Sequence, residues 1–176
     1  MRFTRAVVTA TVVLSLSACQ YMPWNQKKAA TTAPAATTKK AKAEKEPTKP
    51  LYDRLGGESA IRSVVDDFVA RAAADDKVNF ARKGVASHEW QPTPDNMQKL
   101  KDRLVQFLCV ATGGPQKYEG QDMRTVHKGM QITDAQFDAA AADLKASLEA
   151  HKVPPREQKE LLDIVGATRG VIVESP

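Results

Sequence analysis

Apolar residues recur at helical spacing through most of the chain beyond residue 50. Ile61, Val64, Val65 and Phe68 fall at i, i+3, i+4 and i+7 and predict a helix from about Glu58 to Ala74. Gly56-Gly57 separates it from a short turn at Leu51–Leu55. Thr93, Pro94 and Asp95 supply an N-cap, a proline at the first helical position and an acid in the first turn. The helix they open carries Met97, Leu100, Leu104, Phe107, Leu108 and Ala111 on one face, and Gly113-Gly114-Pro115 stops it. Thr133 to Gln136 reads as a capping box for a helix running to about Ala150, with Phe137, Ala140, Ala141, Leu144 and Leu148 inward. Pro154-Pro155 opens the last helix, with Leu161, Leu162, Ile164 and Val165 on its apolar face. Residues 82–93 show no period and read as a loop. No segment alternates as a strand does, and no internal repeat is present. The pattern predicts an all-α domain over 51–176 with four substantial helices.

Two stretches break this pattern. Between Tyr118 and Ile132 the apolar residues are Met123, Val126, Met130 and Ile132, spread among two glycines and many polar residues. Such a segment packs poorly against a protein core and well against a flat apolar ligand, with His127 in its middle. The other stretch is the N-terminus. Residues 20–50 are Ala, Thr, Lys and Pro with almost no large apolar residue after Trp24, so they read as a disordered tether. A flexible chain of that length averages about 30 Å end to end.

Composition narrows the function classes. Of 176 residues, 42% are apolar and only 6% aromatic, which suits a soluble helical domain. Two cysteines cannot build a disulfide scaffold. No CxxC, HExxH, GxSxG or P-loop spacing occurs, which sets aside clustered metal sites and the common hydrolase and nucleotide motifs. The net charge of +5 would suit nucleic acid, but its distribution does not. Residues 20–50 hold seven lysines against two glutamates, whereas residues 51–176 hold seventeen basic and nineteen acidic side chains. The folded part is mildly acidic, so no nucleic-acid partner is expected.

Residues 1–19 form a secretory signal: Arg2 and Arg5 precede an apolar run from Ala6 to Leu16 that is too short to span a bilayer. Leu16-Ser17-Ala18-Cys19 resembles the lipobox of bacterial lipoproteins, in which the cysteine thiol is acylated and becomes the mature N-terminus. Acylated Cys19 would anchor the chain in a lipid membrane of the cell envelope. Gln20 is not the aspartate that marks inner-membrane retention in lipoproteins of the enterobacterial type. The outer membrane, facing the periplasm, is the expected address.

Leu51-Tyr52-Asp53-Arg54-Leu55-Gly56-Gly57, Val64-Val65-Asp66-Asp67-Phe68, Ala111 to Pro115, Tyr118-Glu119-Gly120 and Met123 to Gly129 with Ile132-Thr133 together resemble the truncated haemoglobins. The likeness is to group I, the two-over-two helical globins, and runs in order over about 51–172. It implies a truncated globin fold that binds one non-covalent haem b and a diatomic gas (O2, NO or CO). His127 matches the proximal histidine of the family and would ligate the iron. Its second ring nitrogen then needs an acceptor, for which a carbonyl near Met123 is the natural candidate.

The resemblance also implies a haem cage. Phe80 matches the phenylalanine that wedges against the porphyrin. Leu100, Leu104, Phe107 and Leu108 would supply one wall, and Met123, Val126, Ile132, Phe137 and Leu144 the others. Lys99, Arg103, Tyr118 and Lys128 are placed to meet the propionates. The distal side departs from the family: a tyrosine and a glutamine are usual where this chain has Val69 and Leu104, with Leu100 beside them. An apolar distal pocket follows, with no hydrogen bond to hold O2. The loop 81–91 is longer than the family pattern and carries His88, expected to be a solvent-exposed loop histidine, with folding over the distal face as the alternative. Cys109 is expected to be an inert buried thiol and His151 a helix-end residue. The chain is expected to be a monomer that would draw on an unidentified reductase for any redox turnover. A lipid-anchored module that keeps the fold without haem is the alternative.

Overall fold

In the computed structural model the described residues are 49–174, all within the unit Glu44–Pro176. The segment read as a signal peptide, Cys19 and the expected tether up to residue 48 lie outside them. Seven helices occur among the described residues: α1 (Leu51–Arg54), α2 (Gly57–Ala74), α3 (Pro94–Ala111), α4 (Met123–His127), α5 (Asp134–Ala150), α6 (Pro155–Gly166) and α7 (Arg169–Ile172). No strand is found among them, and the four long helices are those that periodicity predicts.

The ends of these helices follow from their caps. Thr93 Oγ1 accepts the Asn96 N–H at 3.3 Å and so opens α3. Thr133 and Gln136 form the reciprocal capping box of α5. Gly56 opens α2 at φ 96°, a left-handed conformation that glycine tolerates best. Three details differ from the sequence reading. Residues 51–54 form a helical turn tied to the end of α3 by the Tyr52 N–H to Thr112 carbonyl bond of 2.9 Å. The last helix breaks at Ala167-Thr168 into α6 and α7. Within 118–132 lies α4, five residues long and too short to show a period.

Helix α2 packs against both α3 and α5, and α5 against α6. The shared core is made by Ile61, Val64, Val65 and Val69 of α2, Val105, Leu108 and Cys109 of α3, Leu144 and Leu148 of α5, and Leu161 of α6. Burial pushes the Cys109 thiol pKa up, keeping it protonated and unreactive. Arg54 of α1 bridges Glu157 (2.7 Å) and Glu160 of α6, fixing α1 to α6. Helix α4 lies outside this core and packs on α7.

Candidate functional site

Helix α4 exists because its two ends are held from outside. Asp122 caps the start: its carboxylate accepts the Thr125 N–H at 3.0 Å and the Thr125 hydroxyl at 2.6 Å. The Thr125 side chain, then its backbone, hold Asp122 below the usual carboxylate range. After α4 the chain turns through Gly129 and Gln131. Their N–H groups donate to the Glu174 carboxylate at 2.7 and 2.9 Å, and the Glu174 N–H donates back to Ile132 at 3.0 Å. These backbone bonds are the main cause of a lowered Glu174 pKa.

His127 closes α4 with its ring fixed. Nδ1 lies 2.7 Å from the Met123 carbonyl oxygen. A carbonyl can only accept, so this bond puts the proton on Nδ1 and leaves the Nε2 lone pair free to bind a metal.

His127 lines a cavity of about 710 Å³. Leu100, Leu104, Phe107 and Leu108 form its α3 wall, and Met123, Val126 and Ile132 continue the wall that His127 begins. Phe137 and Leu144 of α5 and Val65 and Phe68 of α2 close it. Most of the large residues on the α3 and α4 walls are only half-buried, because they face the cavity rather than neighbouring side chains. Packing voids are rarely larger than a water molecule, whereas ligand sites run from about 300 to 1,000 Å³. Lys99, Arg103 and Tyr118 also reach the cavity. Arg103 pairs with Glu119 at 3.5 Å, and Tyr118 stands edge-on to Phe107 with ring centroids 5.9 Å apart. A histidine with one nitrogen locked and the other free, apolar walls and nearby cations are the donor set that a haem requires.

The sequence-predicted residues divide in two. His127, the four α3 residues, Met123, Val126, Ile132, Phe137, Leu144, Lys99, Arg103 and Tyr118 come together around the cavity. Phe80 does not: its ring packs on Trp90 with centroids 5.4 Å apart, and it lies in a loop rather than at a helix end. Val69 does not line it either. It is wholly buried in the core, one position round α2 from Phe68, and its short side chain stops within the packing. His88 is not on the cavity wall but against Gly129, where a Cβ would come within 2.7 Å of the imidazole. The long loop therefore lies along the chain that follows α4, and His88 stands off the cavity as a loop histidine rather than over the distal face. Lys128 is exposed and off the cavity. His151 is the C-cap of α5, as a helix-end residue should be.

Other wall residues went unrecognised in the sequence. Phe68 carried a visible signal, its place in the α2 stripe. Trp90 and Arg82 also line the cavity but sit in irregular segments, where no period assigns a direction.

A family profile described as "Bacterial-like globin" matches residues 50–174. The group 1 truncated hemoglobin of Mycolicibacterium paratuberculosis is 35% identical over 115 residues, covering 65% of this chain and 77% of that protein. The group 1 truncated hemoglobin of Tetrahymena thermophila is 31% identical over 125 residues, or 71% of this chain and 93% of that one. Among solved structures, the Fe(III) form of the Tetrahymena pyriformis truncated hemoglobin superposes with a TM-score of 0.62 at 28% identity, covering 72% of this chain and all of that one. The cyanomet 2/2 hemoglobin of a Synechococcus species, which has covalently attached heme, gives a TM-score of 0.58 at 30% identity over 70% of this chain and 95% of that one.

Proposed function

This chain belongs to the bacterial-like globin family, whose truncated members bind haem and gas ligands, and from that premise we propose that it holds one non-covalent haem b with His127 as the iron ligand. The observation that carries the reading is the 2.7 Å bond from His127 Nδ1 to the Met123 carbonyl, which fixes the tautomer a haem iron needs within a cavity of haem-accepting character. Haem, when bound, supplies an open coordination position for a diatomic gas.

The protein's own residues would do the rest. Asp122 and Glu174 hold the segment that carries His127. Leu100, Leu104, Phe107 and Leu108 exclude water and offer no hydrogen-bond donor. Lys99, Arg103 and Tyr118 are candidates to meet the propionates. The wall these four residues give the gas is thus apolar, suiting CO and NO better than prolonged retention of O2.

The test is reconstitution with hemin. Wild type should give a Soret band with histidine-ligated character, and His127→Ala should lose it while keeping its helical far-UV spectrum. A native haem spectrum in His127→Ala would defeat the assignment. The N-terminal pattern supports display on the cell envelope through acylated Cys19, with the outer membrane as the address. Cys19→Ser should release the protein from the membrane fraction or leave it unprocessed. Normal processing and unchanged membrane association in that variant would rule acylation out.

A further inference from the structure

Arg82 is only 6% exposed and forms part of the cavity wall. Its guanidinium is held on several sides. Nε donates to the Asn79 carbonyl at 2.8 Å, and Nη1 to Gln136 Oε1 at 2.9 Å and to the Met130 carbonyl at 3.5 Å. Nη2 donates to the Val78 carbonyl. Four of the five N–H groups are engaged and every acceptor is neutral. No carboxylate pairs with Arg82 among the described residues, unlike Arg54, Arg62, Arg71, Arg103 and Arg169.

The backbone is bent to put it there. Arg82 has φ 52° and Asn79 φ 48°, left-handed conformations that cost a non-glycine residue energy. A solvated loop arginine would need neither the strain nor the burial. Burying a cation is costly unless an anion compensates it, and desolvation lowers the Arg82 pKa accordingly. The neighbouring side chains supply no compensating charge, and an anionic group entering the cavity that Arg82 lines would supply it.

We propose that Arg82 is the carboxylate-binding residue of the cavity, its buried guanidinium holding one propionate of the porphyrin. This rests on the haem reading above. It separates Arg82 from Lys99 and Arg103, which are exposed and whose charges water already screens. The one N–H left over, on Nη2, can donate a single charge-assisted bond to a carboxylate oxygen, and low-dielectric surroundings strengthen the pairing.

The experiment compares retention of protohaem IX with that of its dimethyl ester, which lacks free carboxylates, by transfer to an acceptor apoprotein. Taking the ratio within each variant cancels general changes in fold stability. Wild type should retain haem at least tenfold longer than the diester. Arg82→Gln should bring the two within about threefold, and Arg82→Lys should keep an intermediate preference. Should Arg82→Gln fail to fold, Lys99→Ala with Arg103→Ala decides the matter on an exposed face: a preference still near tenfold supports Arg82, and its disappearance there overturns it. An unchanged ratio in Arg82→Gln, or no preference in wild type, also overturns it. Formation of the Soret band with both porphyrins, but without preference, defeats this inference alone. No Soret band with either defeats the haem reading itself.

Discussion

Leu104 and Val69 show how one residue's surroundings decide what its chemistry can do. Both stand where the family resemblance implies hydrogen-bond donors, yet only Leu104 lines the cavity; Val69 is sealed in the core. A tyrosine at position 69 would have to displace packed neighbours, and such overpacking costs about 1–3 kcal/mol. Leu104→Gln is therefore the clean substitution. It puts one donor on the α3 wall, and a hydrogen bond worth about 1.4 kcal/mol slows O2 release by about tenfold. CO carries less charge when bound, so its release should change much less. Stopped-flow measurement of both gases checks this. Slow O2 release already in wild type, unaffected by Leu104→Gln but lost in Trp90→Phe, would show that the pocket is not apolar and that the indole is its donor.

At the scale of elements, α4 is the least self-sufficient part of the fold. Five residues cannot sustain a helix in water. Asp122 accepts an N–H of its first turn and Glu174 pins the turn that follows it, and both carboxylates are held below their usual range. An acid whose folded pKa is depressed adds stability that is fully present above its unfolded value of about 4 and is lost as pH falls through the folded value. Asp122→Asn with Glu174→Gln keeps neutral acceptors but removes this linkage. The variant should have a lower urea midpoint than wild type at pH 7, and the gap should narrow at pH 3. A gap of equal size at both pH values would refute the clamp.

The same elements explain what the sequence made legible. The ends of α3 and α5 could be read because caps are local chemistry, and their inward faces because the period is long. His127 was legible through its flanking residues. The surroundings of Phe80 and His88 could not be read because both lie in the irregular stretch between α2 and α3, where direction is set by partners such as Trp90 and Gly129. Arg82 was invisible for the same reason: its burial depends on Met130 and Gln136, some fifty positions along the chain.

For the whole molecule, α2, α3 and α5 form one continuous core on one side, while α3, α4 and α5 surround a hollow on the other. Part of the apolar surface that would normally drive folding is thus left for an occupant to cover. A ligand that binds only the folded state stabilises it by about 2.7 kcal/mol at a hundredfold excess over Kd. A domain of this size shifts by about 3–6 °C per kcal/mol. Hemin added to the apoprotein should therefore raise its melting temperature by on the order of 10 °C, and the rise should grow with hemin concentration as mass action requires. His127→Ala should melt near the wild-type apoprotein and gain little from hemin, since its apolar walls remain but its iron ligand does not. A module that uses the globin fold without haem would have no differential affinity to exploit, and the two melting curves would coincide with and without hemin. Calorimetry on the full chain separates these cases, and a concentration-independent melting temperature would leave the hollow without its proposed occupant.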